Sequence, residues 1–80
     1  MKTKRYRTRR KSRRGYIGYV DAYQWNGHSP IEGYVKTRSG KGLKRDNAYV
    51  EKGDIVLLSL SGKILHTLPE ATFRNFYKEA

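Results

Sequence analysis

Residues 53–68 have the sequence Gly-Asp-Ile-Val-Leu-Leu-Ser-Leu-Ser-Gly-Lys-Ile-Leu-His-Thr-Leu. The near-continuous apolar run from Ile55 to Leu60 is typical of a strand that is covered on both faces. Gly53-Asp54 predicts a turn before it. Ser61-Gly62 suits a tight turn after it, so that residues 63–68 return as the second strand of a hairpin. This segment predicts a fold built mainly from strands.

The chain upstream carries further strand signals. Residues 16–25 are rich in aromatic and β-branched side chains and predict another strand. Asn26-Gly27 then favours a hairpin turn, with residues 31–35 as its returning strand. Residues 48–50 suit a short strand of their own.

The C-terminal segment predicts a short helix. Pro69 suits the first helical position because its φ is fixed and it has no N–H to satisfy. Phe73, Phe76 and Tyr77 follow at helical spacing and predict one apolar stripe that packs on the sheet. We therefore expect an α+β, mostly β fold. Its core is a four- or five-stranded antiparallel sheet or partly open barrel with a short C-terminal helix.

Positive charge is concentrated at the N-terminus. The 80 residues include 18 lysines and arginines against seven acids, for a net charge of +11. Nine of the basic residues lie in residues 1–14, which contain no acid. Such a run repels itself and has little to bury, which predicts disorder. The predicted organisation is a disordered, basic, nucleic-acid-binding arm over 1–14 and a small β-rich domain over 15–80.

The arm is the main candidate site, because a chain this basic attracts polyanions. Arginine in particular offers paired hydrogen bonds to phosphate oxygens. The alternatives are a solvated tail that only aids solubility, a localisation signal or an anchor on ribosomal RNA. A membrane-surface anchor is disfavoured, because no lipid-anchor motif or apolar insertion face accompanies the charge, so we expect no membrane partner. The arm residues predicted to contact nucleic acid are Lys2, Lys4, Arg5, Tyr6, Arg7, Arg9, Arg10, Lys11, Arg13 and Arg14.

A second basic patch lies between glycines in residues 36–45, which predict a flexible loop. It would either add phosphate contacts beside the arm or form a solvated hairpin tip. Residues 38–42 lack the glycine spacing of a nucleotide-hydrolysing phosphate loop, so that activity is excluded. The candidate contacts of this patch are Lys36, Arg38, Lys41, Lys44 and Arg45.

Aromatic residues provide a third candidate. In a regular strand over 17–25, Tyr19, Tyr23 and Trp25 share one face and could stack on bases. Packing in the core is the favoured alternative, because a chain this short needs its aromatic side chains there.

Catalytic and metal-binding patterns are not found in the sequence. Cysteine is absent, and His28 and His66 have no Cys, Asp or Glu at ligand spacing. The acids are scattered singly rather than paired for acid–base work. We expect no enzyme activity, no cofactor and no metal. We also expect no membrane-spanning helix, because there is no run of 18 or more apolar residues.

Both ends of the chain resemble a family of small phage and prophage proteins, most of which have no assigned function. Members open with a basic Tyr-Arg segment and a Val-x-Ala-x-Gln-Trp strand, and they continue through a Gly-Asp-x-Ile-Val hairpin to a closing Pro, Phe and Tyr. The matching residues here are Tyr6-Arg7, residues 20–25, residues 52–56, residues 61–63, residues 69–73 and Tyr77. Residues 26–47 are not covered. The arm is longer and more basic than in the family, Lys63 replaces the usual acid, and the aromatic that follows Gly-Asp is missing.

The resemblance implies a phage protein of the bacterial cytoplasm that disables or redirects host machinery. Together with the charge, it predicts a non-catalytic protein that binds the phosphate backbone of DNA or RNA. One alternative is an inhibitor or adaptor that binds a host protein or ribonucleoprotein, such as a CRISPR effector or RNA polymerase. Another is a ribosomal or virion structural protein.

Overall fold

A computed structural model describes residues 3–80, which form two antiparallel sheets and one short helix. The strands are β1 (Lys4–Thr8), β2 (Tyr19–Gln24), β3 (Val35–Lys36), β4 (Leu43–Arg45), β5 (Ala48–Val50), β6 (Ile55–Leu58), β7 (Ile64–Leu68) and β8 (Tyr77–Glu79), and the helix is α1 (Glu70–Phe76). The larger sheet has the order β7-β6-β2-β1-β8 and the smaller one β3-β4-β5. The predicted mostly β fold with a short C-terminal helix is confirmed. The sheets do not close into a barrel.

The β6–β7 hairpin forms where the sequence predicts it. Ile55, Val56 and Leu57 are all buried, because the larger sheet is covered on both faces at β6. The turn closes with a hydrogen bond from Ser59 N to Lys63 O at 2.8 Å. Gly62 has a φ of +92°, a conformation that favours glycine.

Two apolar clusters lie on opposite faces of the larger sheet. On the helix face, Phe73 of α1 packs with Ala22, Ile55 and Leu57. On the other face, the smaller sheet and the 25–34 segment supply a second cluster. Its buried members are Trp25, Ile31, Tyr34, Leu43, Val50 and Val56.

The prediction of a disordered arm is wrong for Lys4–Thr8. These residues form β1, which pairs with β2 on one side and with β8 on the other. Tyr6 gives the strand something to bury, since its ring meets Phe73 edge-on with the centroids 4.8 Å apart. The alternation of basic residues with Tyr6 and Thr8 therefore belongs to a strand, in which neighbouring side chains point to opposite faces.

The predicted hairpin at Asn26-Gly27 is also wrong. Strand β2 pairs with β1 and β6, and residues 31–34 are not a strand. Asn26 instead closes a local turn, its Oδ1 accepting hydrogen bonds from the N–H groups of His28 and Ser29. An asparagine side chain can form such a turn without a returning strand.

Residues 36–45 are more ordered than predicted. Strands β3 and β4 pair at Val35 with Lys44 and at Lys36 with Leu43, so only the tip at 37–42 is a loop. At Gly42 the tip passes so close to β5 that an added Cβ would lie 2.6 Å from Val50 O. A glycine at this position lets the tip pack against the end of β5.

The helix is shorter than its predicted apolar stripe. Pro69 is the N-cap rather than the first helical residue, and α1 ends at Phe76. Tyr77 is already extended in β8, yet its ring still stacks on Phe73 at 5.2 Å. Phe76 does not pack on the sheet and is 60% exposed. In residues 3–80 no helix has the length and apolar character needed to cross a bilayer.

The position of β1 predicts that Tyr6 is needed for stability. We expect Tyr6→Ala to lower the free energy of unfolding by about 2–3 kcal/mol, because the contact with Phe73 is lost and a cavity remains. Arg7→Ala, next to it on the opposite face of β1, should cost less than about 1 kcal/mol. Urea unfolding followed by the fluorescence of Trp25 measures both. Equal stability of the two variants would contradict the packing role of Tyr6.

One tyrosine that packs against the second cluster makes stability depend on alkaline pH. Burial, and then the neighbouring Tyr34, raise the pKa of Tyr23 above its ordinary value of 10.0. The unfolded chain therefore ionises first as pH rises. The contribution of Tyr23 to stability is full below pH 10.0 and is lost as pH passes the raised pKa.

We expect the urea midpoint to fall as the pH rises above about 10, and to fall less in Tyr23→Phe. Tyr49→Phe is the matched control, because Tyr49 is 64% exposed. If Tyr23→Phe and wild type lose stability in parallel, another group is responsible for the alkaline loss.

Candidate nucleic-acid interface

The loop over 9–18, which joins β1 to β2, carries the densest positive charge. Its cations are Arg9, Arg10, Lys11, Arg13 and Arg14, and it contains no acid. A turn orders the loop: Ser12 N donates to Tyr16 O at 2.8 Å, and Tyr16 N donates to Ser12 Oγ at 3.1 Å. Gly15 has a φ of +81°, which suits the tight reversal. The cations therefore extend from a defined turn.

Carboxylates do not neutralise this loop. Over residues 3–80 the ion pairs are Lys4–Glu79 at 3.2 Å, Arg5–Asp21 at 3.1 Å and Arg74–Glu70 at 3.2 Å. Two of the predicted contact residues, Lys4 and Arg5, thus already have acidic partners. Arg10, Lys11, Arg13 and Arg14 have none among the described residues, and all four are exposed. They are the part of the predicted site that remains available to phosphate.

Arg9 has a structural contact of its own. Its Nε donates to Arg74 O at 2.6 Å, and its backbone N–H donates to Phe76 O at 2.9 Å. Both acceptors are carbonyls near the end of α1, where a positive charge is favourable. Arg9 therefore joins the end of β1 to the end of the helix.

The strand itself adds cations on the face opposite the helix. Because Tyr6 faces α1, Arg5 and Arg7 point to the other face. Arg7 lies directly opposite Tyr19 on β2 and opposite Lys78 on β8. Residues opposite each other in a ladder share a face. This strip continues from the loop along the sheet, and Tyr19 is 49% exposed within it.

The second basic patch lies toward the other end of the molecule. Loop 9–18 leads into the first residue of β2. The 37–42 tip packs beside Val50, and the turn that follows Val50 is hydrogen-bonded to Trp25, just past the last residue of β2. The fold is elongated, with extents of 43 × 20 × 19 Å. The tip of the second patch and loop 9–18 therefore lie toward opposite ends of β2.

Within the second patch, Arg45 differs from its neighbours. Its guanidinium lies 5.1 Å from the ring centroid of Tyr34, and Nη2 donates to Leu65 O at 3.3 Å. Arg45 thus connects the smaller sheet to β7. Lys36, Arg38, Lys41 and Lys44 are exposed.

The three predicted stacking residues have different environments. Trp25 is 2% exposed, and its Nε1 donates to Ser29 O at 2.7 Å, so it cannot stack on a base. Tyr23 is half-buried beside the second cluster. Of the three, only Tyr19 presents an exposed ring.

Sequence reasoning missed other exposed rings. Tyr16, in the basic loop, is 71% exposed, and Phe76 and Tyr49 are 60% and 64% exposed. The position of Tyr16 among arginines was the available signal. Phe76 is exposed because α1 ends at this residue. The helical spacing of Phe76 from Phe73 does not reveal that the helix ends there.

Lys2, a predicted contact, lies outside the described residues. In residues 3–80 no group of three or more His, Cys, Asp or Glu side chains is placed to hold a metal ion. Comparison with protein-family models, curated proteins and solved structures finds no significant match to the chain. The resemblance to the phage family stays a prediction.

The burial of Trp25 predicts how the protein responds to nucleic acid. We expect saturating oligonucleotide to leave the emission of Trp25 almost unquenched and unshifted, because the indole has no exposed face. Acrylamide quenching with and without oligonucleotide provides the control for accessibility. Strong quenching by the oligonucleotide, with the fold intact, would show that Trp25 is at the interface.

Proposed function

We propose that the protein binds the phosphate backbone of nucleic acid through loop 9–18 and the adjoining cations of the sheet. The observation that carries the proposal is the set of exposed loop cations without carboxylate partners among the described residues, Arg10, Lys11, Arg13 and Arg14. They extend from a turn that is continuous with β1, in the interior of the sheet. The surface therefore combines concentrated positive charge with attachment to a central strand of the sheet.

Binding would proceed by phosphate neutralisation and release of counterions. Arginine guanidinium groups can each grip two phosphate oxygens, and such contacts position a protein without reading bases. The 36–44 patch, toward the other end of the fold, would engage a separate stretch of the polyanion. We propose no catalytic step, in line with the scattered acids of the sequence.

The resemblance to phage proteins supports a narrower form of the proposal. In that form the protein is a phage accessory protein that acts in the bacterial cytoplasm, and its nucleic acid is free or part of a host ribonucleoprotein. A pull-down from bacterial lysate, with and without nuclease, separates the two. A protein partner that survives nuclease treatment would favour the inhibitor or adaptor function.

The charge distribution predicts a specific salt dependence. On duplex DNA each phosphate contact contributes about −0.9 to the slope of log affinity against log salt. Replacing Arg10, Lys11, Arg13 and Arg14 by glutamine should therefore flatten the slope by up to about 3.6, as well as weaken binding. Fluorescence anisotropy at several salt concentrations measures both quantities.

The matched control replaces Lys36, Arg38, Lys41 and Lys44 by glutamine, which removes the same charge from the other patch. We expect this variant to lose less affinity and less slope than the loop variant. Equal losses would mean that net charge, rather than loop 9–18, determines binding. A salt-independent affinity of the wild type would overturn the proposal itself. Deleting residues 1–14 is not a clean test, because it removes β1.

A further inference from the structure

A groove of about 650 Å³ opens at the junction of β1, β7 and the end of α1. This volume is within the range of sites that hold small ligands. Its walls include Arg10 from the basic loop, His66 and Leu68 from β7, and Asn75 and Phe76 from the helix. The groove lies beside the loop but on the helix face of the sheet.

We propose that this groove binds one unpaired base of a single-stranded nucleic acid, with Phe76 as the stacking ring. The inference rests on the proposed function and names the form of nucleic acid that it favours. Phe76 is 60% exposed and belongs to neither apolar cluster, so core packing does not explain its ring. Stacking on a base would give the ring a function.

The chemistry of the walls fits a nucleotide. The phenyl ring offers an apolar face, and base–aromatic stacking accepts any base. The Asn75 amide can both donate to and accept from a base edge, and Arg10 can bind the adjoining phosphate. None of the described residues that line the groove carries a carboxylate. The ligand that complements this surface is flat and negatively charged.

The groove is also held in place. Arg9 bonds to both Arg74 O and Phe76 O, at 2.6 Å and 2.9 Å, so the basic loop and the helix end are joined beside it. Tyr77, next to Phe76, stacks on the buried ring of Phe73. Little of the backbone around Phe76 has to become ordered on binding, which favours affinity.

A duplex does not satisfy this site, because its bases are already paired and stacked on both sides. Flipping one out would cost a few kcal/mol. Two further exposed rings lie at the loop end of β2: Tyr16 on the loop, and Tyr19 on the face of the sheet opposite the groove. Exposed rings interleaved with cations are typical of surfaces that bind single strands. We therefore expect a preference for single-stranded over duplex nucleic acid.

The test compares a fluorescein-labelled oligothymidylate of about 12 nucleotides with a duplex of the same length. Phe76→Leu keeps an apolar side chain but removes the ring. It should weaken single-strand binding roughly 5- to 100-fold and change duplex binding by less than about twofold. The salt slope should not change, because no phosphate contact is removed. Tyr49→Leu, which removes a comparably exposed ring from the smaller sheet, should leave single-strand affinity nearly unchanged.

The outcomes separate this inference from the proposed function. If the glutamine variant of the loop binds weakly but Phe76→Leu binds like wild type, the groove inference is overturned and the proposed function stands. If wild type binds neither probe, both are overturned. An equal loss for strand and duplex, an equal effect of Tyr49→Leu, or equally strong competition by polyglutamate would also overturn the base-binding groove. Thermal unfolding followed by Trp25 verifies that both leucine variants are folded.

Discussion

The pairing of β1 with both β2 and β8 is the constraint on which the other features depend. It satisfies the backbone on both sides of the strand and places Tyr6 against Phe73, 4.8 Å between centroids. With Tyr6 facing the helix, strand alternation sends Arg5 and Arg7 to the opposite face. The same pairing sets the base of loop 9–18 at the end of the sheet. The segment that supplies the positive charge is therefore also a structural member of the fold.

This dual use explains how a run of like charges can be folded at all. The repulsion is opposed by the ladder, by the burial of Tyr6 and by the pairs that Lys4 and Arg5 make with Glu79 and Asp21. Exposed ion pairs contribute little individually, about 0–1 kcal/mol each. Their effect here is chiefly on where positive charge remains: Lys4 and Arg5 have acidic partners, whereas Arg7 and the exposed cations of the loop have none among the described residues.

The sequence predicts the parts of this fold that depend on local pattern. The apolar run at 55–58, the Ser61-Gly62 turn and the proline before α1 each indicate their element, and composition indicates the mostly β class. The features of the fold that the sequence does not reveal depend on contacts between segments far apart in the chain. Nothing near Tyr6 shows that Phe73 will cover it, and Asn26-Gly27 has the same local signal whether it closes a hairpin or a loop. The candidate site follows this division: the cations of the loop are evident from the sequence, whereas the burial of Trp25 and the exposure of Phe76 are not.

The place of β1 between β2 and β8 also has a consequence for how the chain reaches its fold. Tyr6 is paired with Glu79, at almost the opposite end of the sequence. During synthesis β1 emerges before β8, so the ladder between them cannot form until residues 77–79 have left the ribosome. Pairings of such large sequence separation are slow to form, because the entropy cost of closing the intervening chain into a loop comes before the contacts that offset it. The strand that leads into the basic loop is thus made well before β8 and is among the last elements to be fixed in place.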